Sequence, residues 1–287
     1  MKNLIYFFEF ILVIILFIIF RVIGYRSASN FGFFIGKAFG PKFRSKNTII
    51  KNIKNFNPSI DNEEIEKLIS NMWGNYGRIL AEYPYIPSFR KKKLENFIDI
   101  EGIENLKKIK DSKKPSVFIS GHFNNFELMA MVIEREGVEL SAVYRPLNNK
   151  FLNLIMEHLR QKYICKNQIK KGLKGVRKAL TFFKEGKSLA MMIDQRVSEG
   201  IDSKFFGIDA FTTTIPAQFV KKFGCTIQPV YVQRINGVYF KVLFDEQLNF
   251  EKNQSIEAIT EKLNIWLEKK IRKSPDQWIW THNRWKR

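Results

Sequence analysis

From Leu4 to Phe20 every position except Glu9 is apolar, and Phe10–Phe20 is unbroken. As a helix, at about 1.5 Å per residue, the stretch reaches roughly 26 Å, close to the ~30 Å hydrocarbon core of a bilayer. Val22 and Ile23 can extend it. The pattern predicts an N-terminal anchor helix that crosses a membrane or lies in one leaflet. Only Lys2 precedes the run, whereas Arg21, Arg26, Lys37, Lys42, Arg44 and Lys46 follow it. Basic flanks stay on the cytoplasmic side, so the body of the protein is expected there. Ser27-Ala28-Ser29 faintly resembles a cleavage site. However, the run is long for a secretory signal, and its charges sit on the wrong flank.

Residues 26–60 are basic and rich in Asn, Phe and Gly, and read as a juxtamembrane helix-and-loop region. Ile65, Leu68, Ile69, Met72, Trp73, Tyr76, Ile79 and Leu80 recur at helical spacing over Asp61–Tyr83, with Asp61 as the cap, before Pro84 and Pro87. Strands are expected at Phe97–Ile100, Ser116–Ser120, Leu140–Tyr144, Ser188–Ile193, Thr226–Val232 and Val238–Phe244. Helices are expected near 124–135, 149–161, 172–184 and 213–222, with a long terminal one from Ser255 to about Lys273. This alternation predicts an α/β fold: one domain, residues 26–287, with a mostly parallel central sheet flanked by helices. An antiparallel hairpin turning at Gly237 would close the sheet. Residues 1–25 form the anchor that precedes it.

The charge changes the picture more than the composition does. Lys and Arg number 48 against 28 Asp and Glu, a net +20, which calls for an anionic partner. Nucleic acid, an acidic membrane surface, an acidic protein and a phosphorylated substrate all satisfy that. An RNP motif, zinc-finger spacing and a helix-turn-helix pattern are missing, which counts against nucleic acid. Cys165 and Cys225 are far apart and form no CxxC, in keeping with a reducing compartment. His122, His158 and His282 have no metal-ligand spacing, so no metal is expected.

The chemistry concentrates at Ser116–Glu127, where a buried strand runs into Gly121-His122 and a helix is expected from Asn124. Open α/β sheets bind ligands at the carboxyl ends of their strands. An imidazole there suits removal of a proton from an attacking hydroxyl. Glu127, in the first helical turn, is expected to reach back and polarise the His122 ring. The plainer alternative makes His122 a strand cap and Glu127 a favourable first-turn acid. Ser120 lacks the G-x-S-x-G elbow of a nucleophile. Phosphate-binding glycine loops are also missing, so no nucleotide cofactor is expected.

Gly121-His122-Phe123-Asn124-Asn125-Phe126-Glu127 resembles the H-x4-(D/E) block of glycerolipid-type acyltransferases. It is closer still to the lipid A biosynthesis acyltransferases, whose block reads G-H-x-G-N-W-E; Asn124 and Phe126 depart from that Gly and Trp. Further along, Val143-Tyr144-Arg145-Pro146-Leu147-Asn148-Asn149 is similar to their Y-R-P segment, and Arg160 falls where they carry a further arginine. Ile193-Asp194-Gln195 resembles their second acidic block, and Phe205-Phe206-Gly207 with Thr212-Thr213-Thr214 their F-F-G and threonine stretch. Residues 275–285 resemble their terminal P-x-Q-W-x-W-x-H-x-R-W.

The resemblance implies a glycerolipid-acyltransferase-like fold. It also implies transfer of a fatty acyl chain from acyl carrier protein to a hydroxyl of a phosphorylated lipid A precursor at the inner membrane. His122, Glu127, Arg160 and Asp194 are then the catalytic residues, and Arg145, Asn149, Phe206, Gly207 and Thr213 contact substrate. Arg145 and Arg160 suit a phosphate or an oxyanion, while Asp194 could orient Arg160, His122 or substrate. Trp278, Trp280 and Trp285 either meet lipid or pack in the core, and His158 and His282 read as structural. Two alternatives stand beside this: a same-fold enzyme acting on another glycolipid or lysophospholipid, and a non-catalytic basic protein of the membrane surface.

Overall fold

The computed structural model describes residues 2–286; Met1 and Arg287, the outermost residues of the two expected regions, lie outside them. The apolar run forms helix α1, Lys2–Ile23, of whose residues only Phe20 is fully buried. Among the described residues it is the one helix long and apolar enough to cross a membrane. The basic region is more helical than its sequence suggests, with α2 at Tyr25–Phe39 and α3 at Lys46–Phe56. Helix α4, Asn62–Glu82, begins where expected, because the Asp61 carboxylate accepts the Glu64 N–H at 2.8 Å. A short α5, Ile86–Arg90, leads into the sheet.

Strand β1 (Ile98–Glu101), helix α6 (Ile103–Ser112), β2 (Val117–Ser120), α7 (Glu127–Arg135) and β3 (Leu140–Tyr144) follow. Next come α8 (Lys150–Leu159), a π-helical turn (Arg160–Ile164), β4 (Asn167–Lys170), α9 (Leu173–Lys184) and β5 (Ser188–Met192). A hairpin of β6 (Ile201–Phe205) and β7 (Ile208–Thr212) precedes α10 (Ile215–Phe223). Strands β8 (Ile227–Ile235) and β9 (Tyr239–Phe244) and helix α11 (Ile256–Lys273) come next, and residues 274–286 follow them.

The seven-stranded sheet has the order β1-β9-β8-β2-β5-β3-β4. Strands β8, β2, β5, β3 and β4 run parallel, and the single antiparallel pairing joins β8 to β9. Both faces are covered. Val117 and Ile119 enter one apolar core with α4, α9, α10 and α11, while Phe118 enters the other with α5, α6 and α7. Period-two alternation between two buried faces explains why β2 reads as an unbroken apolar run.

The sequence reading missed α5, α6, β4, β6 and β7. Helix α6 and edge strand β4 are short and polar. The hairpin β6–β7 buries polar Ser203 and Thr212 alongside Phe205 and Ala210, which breaks its apolar alternation. The Asn264 amide donates to the Ser203 and Thr212 hydroxyls, so the inward positions are satisfied by hydrogen bonds that no hydrophobic pattern betrays.

Helices α2 and α4 cross at glycines. A methyl group on Gly77 would lie 1.9 Å from the Gly32 carbonyl oxygen and 2.8 Å from the Gly36 Cα, both backbone atoms that cannot swing away. Gly77→Ala should therefore push the helices apart and lower stability by about 1–3 kcal/mol, read as a fall in unfolding midpoint. An unchanged midpoint would show that the crossing is not close-packed.

Candidate active site

The carboxyl ends of β2 and β5 open onto a cavity of about 890 Å³. His122, just beyond β2, lines it. The His122 backbone N–H donates to Asp194 Oδ2 at 2.7 Å, and its ring Nδ1 lies 2.7 Å from Asp194 Oδ1. The Trp278 indole N–H donates to the same Oδ2 at 2.8 Å. Asp194, just past β5, is 1% exposed. Burial alone would raise its pKa. The charge of His122 and the hydrogen bonds from the His122 ring, the His122 backbone and Trp278 together outweigh burial, holding the carboxyl below its usual value. An ionised carboxylate only accepts, so Nδ1 carries the proton and Nε2 is the basic nitrogen left for the cavity. The Phe126 ring meets the imidazole edge to face at 4.8 Å.

Glu127 does not hold His122, contrary to the reading from spacing. Its Oε1 accepts Arg160 Nε at 2.8 Å, Arg160 Nη2 at 2.6 Å and the Tyr83 hydroxyl at 3.1 Å. The reason is local geometry. Helix α7 begins at Glu127 rather than at Asn124, and the intervening residues bend, with Asn124 at φ +43°. A left-handed φ suits glycine, and asparagine is among the few side chains that tolerate it, which accounts for Asn at the position of the family's Gly. The bend turns Glu127 toward the π-helical turn that presents Arg160. Burial lowers the Arg160 pKa, but Glu127 and Tyr83 more than reverse this, so the guanidinium stays charged.

The bend is fixed from two sides. Asn124 Nδ2 donates to Gln277 Oε1 at 2.6 Å and to the Val232 carbonyl at 3.2 Å. Asn125 Nδ2 donates to Glu82 Oε2 at 3.2 Å, and Glu82 is itself paired with Arg234 at 2.5 Å in the protein interior. The sequence reading did not single out Tyr83, Glu82 or Arg234, and it met Gln277 only as the Q of the terminal block. The visible signal for Glu82 was an acid following Ile79-Leu80-Ala81 on an apolar helix.

Of the other expected substrate contacts, Arg145 and Thr213 line the cavity. Asn149, Phe206 and Gly207 are not among its lining residues. Asn149 caps α8, accepting the Phe151 and Leu152 N–H groups, and donates to the Tyr6 carbonyl and to Glu9 Oε2. Its polar atoms serve the N-terminal helix. Phe206 and Gly207, at φ +53° and +76°, form the tight turn of β6–β7, and Phe206 packs between Phe56 and Trp285. Trp278, Trp280 and Trp285 are all buried, so they pack the core and do not face lipid, whereas His158 is exposed.

The cavity lining is strongly cationic. Arg44, Arg145, Arg160, Lys171, Arg196 and Lys286 line it, and the acid among the lining residues is Glu127, already spent on Arg160. Apolar Met129, Ala130, Ala142, Met191 and Met192 line it as well. Burial pushes the Cys165 and Cys225 thiols up to about 12, which leaves neither as a ready nucleophile.

All of residues 1–287 match the family described as bacterial lipid A biosynthesis acyltransferase. The chain belongs to that family. It is 22% identical over 259 residues to the lipid A biosynthesis palmitoleoyltransferase of Escherichia coli (strain K12), a match spanning 88% of this chain and 82% of the relative. The lipid A biosynthesis acyltransferase of Shigella flexneri matches to the same extent. The crystal structure of the 1-acyl-sn-glycerophosphate acyltransferase PlsC from Thermotoga maritima aligns with a TM-score of 0.43 and 11% identity, covering 96% of this chain and 99% of that one. Family membership makes this protein an acyltransferase of lipid A biosynthesis.

Trp278 gives the site a test separate from turnover. Asp194 is held below its unfolded pKa, so its stabilisation is present above the unfolded value near 4 and is lost as pH falls through the lower folded value. Trp278→Phe removes one donor from the carboxylate. It should cost about 1–3 kcal/mol and move the onset of acid unfolding to higher pH, read by denaturant titration across the acid range. An onset that stays put would deny the indole this role.

Proposed function

We propose that this acyltransferase moves a fatty acyl chain from acyl carrier protein to a hydroxyl of a phosphorylated lipid A precursor of the Kdo-lipid IVA type. In this reading α1 anchors the enzyme to the inner membrane, and residues 26–287 form the catalytic domain on the cytoplasmic side. The observation that carries it is an Asp194-oriented imidazole in a cavity lined by six cations and flanked by apolar side chains.

The geometry supports the following chemistry. His122 Nε2 takes the proton of the acceptor hydroxyl as that oxygen bonds to the thioester carbon. Asp194 fixes the ring tautomer and stabilises the imidazolium that forms. Collapse of the tetrahedral adduct re-forms the carbonyl and breaks the C–S bond, and the departing thiolate takes the proton from His122. Balance is complete without a metal or a redox partner. The cations suit a phosphorylated acceptor and an acidic carrier, and the Met and Ala lining suits an acyl chain. Arg145 is the lining arginine outside the Glu127 pair that the family's Y-R-P block points to, and it suits a phosphate. Glu127 and Arg160 shape the wall beside the base.

Purified protein given acyl carrier protein thioester and phosphorylated precursor should yield a product heavier by one acyl chain. Lysophospholipid and unphosphorylated glycolipid offered in parallel should be poor acceptors. His122→Ala and Asp194→Asn should each lower the rate by about 10²–10⁴. Glu127→Gln should instead act first on stability, by about 3–5 kcal/mol, because it strands the buried Arg160 charge. Full activity in His122→Ala would remove the base from the mechanism. Equal use of uncharged acceptors would favour the same fold acting on another lipid.

A further inference from the structure

The segment after Trp278 is pinned without any help from the His282 ring. Asn52 Nδ2 donates to the Trp280 and His282 carbonyls, each at 2.8 Å. Arg284 donates to the Phe211 carbonyl and to Thr212 Oγ1. The Trp285 indole N–H donates to the Phe205 carbonyl. Between these anchors the His282 side chain turns to the cavity that His122 also lines.

Its ring is used on one side only. The Arg196 backbone N–H donates to His282 Nε2 at 3.0 Å. A nitrogen that accepts carries no proton, so the neutral ring must hold its proton on Nδ1. Among the described residues Nδ1 has no hydrogen-bond partner, and it is not among the sealed-off buried atoms. Burial, the largest influence, and the charges of His122, Arg284 and Lys171 lower the His282 pKa to about 4 against the opposing pull of Asp194. The ring therefore stays a neutral donor throughout the neutral range.

The same strand-end loop that gives Asp194 to His122 gives the Arg196 N–H to His282. Two imidazoles are thereby set in one cavity with opposite assignments. His122 presents a bare nitrogen, and His282 presents an N–H. Arg160, the cation beside the base, has two of its nitrogens committed to Glu127.

We propose that His282 is a catalytic residue, its Nδ1–H donating a hydrogen bond to the thioester carbonyl oxygen as that oxygen gains negative charge. The inference rests on the acyl-transfer reading above. No proton is transferred from His282: no covalent bond to its ring forms or breaks, and the carbonyl pair re-forms the C=O bond when the C–S bond breaks. A preorganised donor of this kind strengthens as charge develops, so its effect belongs to kcat.

Three variants of the full chain separate this role from a structural one, assayed with acyl carrier protein thioester and phosphorylated precursor. His282→Phe fills the space without a donor. It should lose about 10²–10³ in kcat with little change in KM, and the shape of its pH–rate profile should match the wild type because His122 remains the base. His282→Asn places an amide N–H where Nδ1 stands and should keep kcat within about tenfold of wild type. His282→Gln reaches the Nε2 position, where it can accept from Arg196, and should fail as His282→Phe does. Rescue by Gln rather than Asn would make the residue a mere prop for Arg196, and wild-type kcat in His282→Phe would overturn the proposal outright. Should His282→Phe not fold, the Asn and Gln pair decides alone. In the wild type, nitrogen NMR should show a His282 ring that is neutral with the proton on Nδ1 at pH 6; a charged ring there, or one protonated on Nε2, would also overturn it. Wild-type protein that transfers no acyl chain would overturn the functional reading together with this one.

Discussion

Three donors converge on the buried carboxylate of Asp194: the backbone N–H of His122, its ring Nδ1 and the indole of Trp278. They come from the end of β2 and from the C-terminal segment, and the acceptor comes from the loop after β5. A buried charge is costly unless it is well hydrogen-bonded, and here three donors meet the carboxylate. The consequence runs in both directions. The fold must bring distant segments together to make this ion tolerable, and in doing so it fixes the tautomer and the heading of the imidazole.

A second buried carboxylate does different work because its partner differs. Glu127 faces a guanidinium and a tyrosine hydroxyl, so its charge is spent on holding the π-helical turn after α8 against α7. A third, Glu82, is spent on Arg234 and on the Asn125 amide. Each acid fixes one side of the His122–Glu127 bend, and the Asn124 backbone strain at φ +43° is held by the Gln277 contact. The bend is over-determined, as a site must be whose base has to stay within a fraction of an ångström of its reacting atoms.

Much of this architecture is legible in the chain. The apolar strands β2, β3, β5, β8 and β9, the capped helix α4 and the terminal helix α11 follow directly from periodicity and cap residues. The position of His122 at a strand end is equally plain. What spacing hides is which carboxylate reaches it. The interval from His122 to Glu127 looks like a helical reach-back only if the helix starts at Asn124, and a start at Glu127 reverses the conclusion. Asp194 lies 72 residues away, so its contact exists only after β2 and β5 have paired. The β6–β7 hairpin is hidden for another reason: two of its buried positions, Ser203 and Thr212, are polar and are met by Asn264 of α11.

The apolar N-terminal helix is not a detached tether. Phe17 stacks on Tyr83, whose hydroxyl reaches Glu127. Asn149, at the start of α8, grips α1 through the Tyr6 carbonyl and Glu9, and α8 runs directly into the turn that carries Arg160. Glu9, the acid in this apolar helix, thus has a partner. Helix α1 is clamped at two levels to the elements on either side of the Glu127–Arg160 pair. Wherever lipid surrounds α1, the cavity wall is held at a set height beside it.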